Sequence, residues 1–204
     1  ATILAADGGQ IYPNERSSVH YYLLNIGLFM YPHGQDALPV QKTIPTLKFH
    51  KADVHDRYGH VIRNRVVDDR RTVEEMRLLA KAAWDASRAD AIQPIVALYD
   101  NRLLFQPGDN IRRDEDLPGD YLKGMRHLYD SGATLAGYLD NPRGRRVIQL
   151  LYLLSIESFE ELKQKQSLLS QAGEMNGLLD KNLFQSVLKP GERSAIMVQN
   201  SPRN

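Results

Sequence analysis

The sequence predicts an α/β protein built on a mixed five-stranded sheet flanked by helices, and three observations carry that prediction. Three strand-like segments come first, at residues 3–6, 20–31 and 46–51. The hydrophobic period then becomes helical across "DDRRTVEEMRLLAKAAWDA". After it, strand and helix alternate, the order expected when helices pack on a sheet with both antiparallel and parallel neighbours.

Ile3 to Ala6 is an almost unbroken apolar run, the pattern of a short strand covered on both faces. Residues 20–31, "HYYLLNIGLFMY", combine aromatic and aliphatic side chains, and the turn formers of "GGQIYPNERSS" let the two runs pair as neighbours. At 46–51, Leu47 and Phe49 alternate with Thr46, Lys48 and His50, a third strand. In the helical stretch Val73, Met76, Ala80, Ala83 and Trp84 recur at helical spacing among good helix formers. Pro94 bounds the next apolar run, Ile95 to Leu98, a fourth strand that ends in Asp100. "PGDNIRRDEDLPGD" reads as a loop, Tyr121 to Tyr129 as a helix and "GATLAGYLD" as the fifth strand. Helices follow. Asn141 is placed to cap "NPRGRRVIQLLYLL", with Pro142 at its first position; Ser158 and Glu161 have capping-box spacing; and "LDKNLFQSVL" looks helical. "KPGERSAIMVQ" turns into a last apolar run.

The 204 residues include 26 basic and 25 acidic side chains, 42% hydrophobic residues and no cysteine. That composition suits one core in a single domain, 1–204. The charges nearly cancel, so contact with nucleic acid has to come from local patches rather than a whole-molecule field. Without cysteine, disulfides, thiolate metal sites and cysteine nucleophiles are excluded, and a reducing cytoplasm is the expected location. No run approaches the ~20 apolar residues of a membrane span, and the N-terminus lacks the basic flank of a signal peptide. A soluble cytoplasmic protein with no membrane partner is expected. The sequence has no P-loop and no dinucleotide fingerprint, so any ATP hydrolysis must come from a partner.

Three acidic positions carry the chemistry. Asp7 ends the first strand, Asp100 ends the fourth, and the helix between the third and fourth strands carries Glu74 and Glu75 near its start. If the first and fourth strands are neighbours, the aspartates meet at one end of the sheet and a helix glutamate can cover that point. Clustered carboxylates repel unless a cation is present. Mg²⁺ and Mn²⁺ prefer oxygen ligands and keep positions open for water and phosphate. Two such ions about 4 Å apart can stabilise the attacking and leaving oxygens of phosphodiester cleavage. Gly8 and Gly9 would leave room beside Asp7 for metal and a nucleic-acid backbone. Against this stands the commonplace that Asp-Gly marks turns and that helix acids face solvent.

Two further groups stand out. His50, His55 and His60 recur every five residues, which keeps neither a helix face nor a strand face, so they are expected to face solvent. Arg143, Arg145 and Arg146 fall in the first turn of the helix expected after Asn141, where backbone N–H groups favour a phosphate.

In order along the chain, "LAADGGQI", "SSVHYYLLNIGLF", "DRRTVEEMRLLA", "ALYDNRLLF", "LAGYLDNPRGRRVIQLL" and "KPGERSAIM" resemble the segments of the NurA nuclease family, over nearly the whole sequence. The resemblance implies an RNase H-like fold and a Mn²⁺-dependent (or Mg²⁺-dependent) DNA nuclease. It implies 5'-3' exonuclease and single-strand endonuclease activity on single-stranded and double-stranded DNA ends. It also implies a homodimer working with a HerA-type hexameric ATPase in DNA end processing. Carried over residue by residue, the aspartate of the family's first motif matches Asp7, and the one after the later apolar strand matches Asp100. The helix glutamate follows an arginine by one turn, which makes it Glu75 after Arg71. Arg70 and Glu74 share that spacing, but Glu75 has Leu78 and Leu79 one turn below it whereas Glu74 has Arg77. Arg71 can reach either a phosphate or Glu75 itself.

Members usually carry a helical region ahead of the first motif and further strands after "GERSA", both of which this sequence is expected to lack. Serine is common where Gly9 stands, and glycine where Asn101 stands. The rival expectation is a non-catalytic RNase H-like module that dimerises and docks on a HerA-type hexamer.

Overall fold

The computed structural model of the chain describes residues 1–89, 91–108 and 115–195. Three strands, β1 (Thr2–Ile11), β2 (Tyr22–Pro32) and β3 (Val40–Lys48), precede a one-turn helix α1 (Lys51–Val54) and the long helix α2 (Asn64–Arg88). Then come β4 (Ile95–Tyr99), α3 (Leu117–Asp130) and β5 (Thr134–Gly137). The sheet has the order β3-β2-β1-β4-β5, antiparallel from β3 to β1 and parallel from β1 to β5. Two reversals leave β3 running with β1, and the return through α2 makes β4 enter parallel to β1. This is the mixed sheet that the order of sequence patterns predicts, in the RNase H-like arrangement that the family resemblance implies.

The chain divides into two compact units, Ala1–Leu139 and Asp140–Asn204. The first holds the sheet and α1 to α3. The second contains α4 (Arg146–Leu154), α5 (Phe159–Gln164), 3-10 turns at Gln166–Gln171 and Gly173–Met175, and α6 (Asp180–Val187). In it Ile148 and Tyr152, one helical turn apart, bury against Ala172. Among the described residues no helix is long and apolar enough to cross a membrane.

In the first unit α2 presents Met76, Leu79 and Ala83 to Leu4, Ala6 and Ile26 of the sheet. Met76, Leu79, Leu4 and Ile26 each contribute ~1.5–3 kcal/mol by leaving water. α3 packs on α2 and β5. Gly124 permits that approach, because a Cβ there would lie 2.8 Å from the Met76 Cγ. Both helices therefore cover the sheet face that carries Leu4, Ala6 and Gly8. Ile3, Ala5 and Asp7 alternate onto the other face.

Several boundaries differ from the sequence-based expectation. β1 does not end at Asp7: its pairing with β2 continues through Asp7 opposite Gly27 and Gly9 opposite Asn25 to Ile11 opposite Leu23. β3 starts at Val40 and stops at Lys48, tolerating Pro45 because it is an edge strand. α4 starts at Arg146, leaving Asn141 and Pro142 outside it. The Asp180 Oδ1 accepts the Ile148 N–H at 3.0 Å, so the start of α4 is satisfied from α6 rather than by Asn141. Ser158 does cap α5, accepting from the Glu161 N–H at 3.1 Å. Of the expected last apolar run, residues 196–199 lie outside the described residues.

Candidate active site

The last parallel pair between β1 and β4 is Ala6 with Tyr99, so Asp7 and Asp100 are the next residues along the two strands. They line one cavity of about 490 Å³ on the open face of the sheet, together with Ala5, Gly27, Phe29 and Tyr138. Both carboxylates are exposed. Asp7 Oδ1 accepts the N–H of Gly8 at 2.8 Å, which orients the side chain. Gly27 stands opposite Asp7 on β2 and contributes no side chain, so the space above the aspartate stays open. Sequence reasoning missed Gly27, although a lone glycine inside the apolar "NIGLF" is the sort of signal that marks close approach in a strand.

Glu75 belongs to the opposite face. It is 5% exposed and packs against the α-hydrogen side of Gly8, where a Cβ would lie 2.6 Å from Glu75 Oε1 and from the Ile26 Cδ1. Gly8 thus makes room for Glu75 and not for a metal beside Asp7, as the sequence had suggested. At Gly9 a Cβ would meet nothing within 4 Å. The Arg71 Nε stands 3.4 Å from Glu75 Oε1, and its Nη1 donates to the Gly8 carbonyl at 2.7 Å. Burial pushes the Glu75 carboxyl up to about 7, against the pull of Arg71 and with added repulsion from Asp7. Tyr99, buried nearby, has its phenol pushed well above the ordinary range by burial and then by the Glu75 charge. Glu74 is engaged by Arg77 at 2.6 and 2.8 Å.

The structure therefore brings Asp7 and Asp100 into one cavity and sets Glu75 behind β1. Among the described residues no three His, Cys, Asp or Glu side chains are gathered to hold a metal ion. The aspartate pair nevertheless offers a donor set of the right kind for a hard divalent cation, carboxylate oxygens open to water and phosphate.

In the second unit, Arg143 precedes α4, Arg145 holds its N-cap position and Arg146 is its first residue, so the three do not share a first turn. Arg145 donates to the Leu178 carbonyl at 3.1 Å and to Asn176 Oδ1 at 3.2 Å, while Arg143 and Arg146 are exposed. The anion position at the start of α4 is held by Asp180. His50 and His60 are exposed, and His60 pairs with Asp56 at 3.5 Å.

The NurA domain family profile matches residues 1–202. Among solved structures the chain is similar to the NurA nuclease from Sulfolobus solfataricus, at 11% identity and a TM-score of 0.43, over 80% of this chain and 60% of that one. It is also similar to a NurA bound to dAMP and manganese, at 14% identity and a TM-score of 0.31, over 92% of this chain and 47% of that one. A type 1 RNase H, LC9-RNase H1, follows at 11% identity and a TM-score of 0.34, over 74% and 69% of the two chains. The chain thus spans less than two thirds of the length of the two NurA structures. No curated protein matches the sequence.

Proposed function

This chain belongs to the NurA domain family, and from that premise we propose that it is a metal-dependent DNA nuclease. It hydrolyses phosphodiesters in single-stranded DNA and at DNA ends, as a 5'-3' exonuclease and single-strand endonuclease. The observation that carries this reading is the meeting of Asp7 and Asp100 in one open cavity where β1 and β4 stop pairing. These two residues would hold Mn²⁺ or Mg²⁺, which supplies positive charge for the attacking and leaving oxygens of the phosphate.

Glu75 completes the set from behind β1. With its carboxyl near 7 it can hold or release a proton at neutral pH close to Asp7. Arg71 binds both Glu75 and the Gly8 carbonyl, so we assign it to orienting Glu75 rather than to gripping a phosphate. Arg143 and Arg146, with Arg145, are the proposed backbone contacts of the second unit. The working form is a homodimer fed by a HerA-type hexameric ATPase. The near-neutral charge and the lack of a P-loop fit a nuclease that relies on another protein's channel and ATP hydrolysis.

The test is cleavage of end-labelled single- and double-stranded DNA with Mn²⁺, Mg²⁺ or EDTA, with and without a HerA-type partner, for the wild type and Asp7→Asn. Cutting should require the metal and fall by roughly 100-fold or more in the variant. Equal cutting by the variant would remove Asp7 from the site. A folded wild type that never cuts, even with metal and partner, would leave the docking module as the better account.

A further inference from the structure

α2 contains two buried charged residues that the nuclease chemistry leaves unused, Asp69 at 2% and Arg70 at 9% exposure. A buried charge is costly unless it is paired and hydrogen-bonded. Both reach toward the segment that leaves β4 at Asp100. Asp69 Oδ2 accepts the Gly108 N–H at 2.8 Å. Arg65 lies one turn before it, with its Nε 3.1 Å from Asp69 Oδ1 and its Nη2 donating to the Gln106 carbonyl at 2.7 Å. Arg70 donates through Nη2 to Glu115 Oε1 at 2.6 Å and through Nη1 to the Tyr22 hydroxyl at 3.0 Å. Gly108 is fitted to this contact, because a Cβ there would lie 2.6 Å from the Arg65 Cγ.

Asp100 therefore stands between two anchors. On one side is the sheet, where the Tyr99 carbonyl accepts from the N–H groups of Asn101 and Tyr138, each at 2.8 Å. On the other is the grip of Arg65 and Asp69 on Gln106 and Gly108. We infer that Asp69, with Arg65, is a positioning residue that clamps the backbone after β4 and so fixes Asp100 beside Asp7. A carboxylate suits the task because a charge-assisted N–H···O⁻ bond is roughly twice as strong as a neutral one. Accurate placement matters because a misplacement of ~1 Å at a reacting centre can cost about 100-fold in rate. The consequence for a bound cation rests on the nuclease reading; the clamp itself does not.

Hydrogen–deuterium exchange of the peptide spanning 100–108 and Mn²⁺ binding by calorimetry test this in wild type, Asp69→Ala and Arg65→Ala, with circular dichroism to establish that each is folded. Asp69→Ala should speed exchange in that peptide by roughly tenfold, leave β1 unchanged, and weaken Mn²⁺ binding by roughly tenfold, as loss of a ligand's supporting contact does. Arg65→Ala should shift both in the same direction by less. Its side chain is 59% exposed, so it decides the matter if Asp69→Ala does not fold. Unchanged exchange in a folded variant overturns the clamp. Faster exchange with unchanged Mn²⁺ affinity overturns its link to Asp100. A wild type that binds no Mn²⁺ sinks the nuclease reading, while the clamp still stands or falls on the exchange data.

Discussion

The two sides of β1 treat a carboxylate in opposite ways. On the open side Asp7 stands exposed beside Asp100, with Gly27 across from it and no side chain to fill the space. One residue along, strand alternation turns Gly8 to the helical side, where Glu75 and Ile26 occupy the place of its missing Cβ. There a carboxyl is withdrawn from water, and burial raises it to about 7 in spite of Arg71. The acidic residues of the motif are thus not one uniform set. Two stand open to solvent beside one cavity, and the third is buried with its carboxyl raised by burial.

The largest effect that would break this contrast belongs to Glu75→Gln. Because the folded value of about 7 lies above the ordinary 4.5, protonated Glu75 favours the folded state. Its contribution is full below about 4.5 and is lost as the pH rises through about 7. Glutamine escapes that loss, so without divalent cations the variant should be the more stable at pH ~8, by at most about 3 kcal/mol. The gain is trimmed because Arg71 then loses its partner. Near pH ~4 the two proteins should unfold alike. Urea titrations at the two pH values check it; equal stability at the higher pH would show that Glu75 is not a buried charge.

Gly8→Ala comes next. Its Cβ would lie 2.6 Å from Glu75 Oε1 and Ile26 Cδ1 and 3.0 Å from the Arg71 Cγ, so three neighbours must move. A cost of ~1–3 kcal/mol is expected, read from the urea midpoint. Its loss of stability should shrink when Glu75 is also shortened to alanine, since one of the colliding atoms is then gone.

The meeting of Asp7 and Asp100 was legible as a condition, because two apolar runs each ended in an aspartate and the pair would meet if those strands were neighbours, as they are. The faces were not legible. Whether Asp7 and Glu75 share a side depends on β1 continuing as a strand through Gly8 and Gly9, and glycines carry no apolar or polar alternation to reveal it. The partner strand decides, through Gly9 opposite Asn25. The start of α4 failed for a similar reason, since Asn141 and Pro142 have the right types for a helix start but Asp180 supplies the oxygen from elsewhere in the chain. The burial of Asp69 and Arg70 leaves no mark in the sequence, because partners of both, Gly108 and Glu115, come from far along the chain. That Glu75 rather than Glu74 faces inward was legible because the leucines below it mark the buried face, and Arg71 stands at ion-pair distance as the spacing suggests.

The smallest expected effect is the sharpest probe of those faces. Gly9 lies two residues from Asp7 and so on the same open side, where an added Cβ meets nothing within 4 Å. Its backbone is not in the left-handed region, so alanine needs no unusual conformation. Gly9→Ala should therefore change stability by no more than about 0.5 kcal/mol, and stiffening of the unfolded chain can even make it slightly stabilising. Measured beside Gly8→Ala under the same conditions, the pair reads the pleat directly, one glycine intolerant and its neighbour indifferent. Equal losses at both positions would mean that β1 does not alternate through the glycines, and Glu75 would then have to be placed anew relative to Asp7.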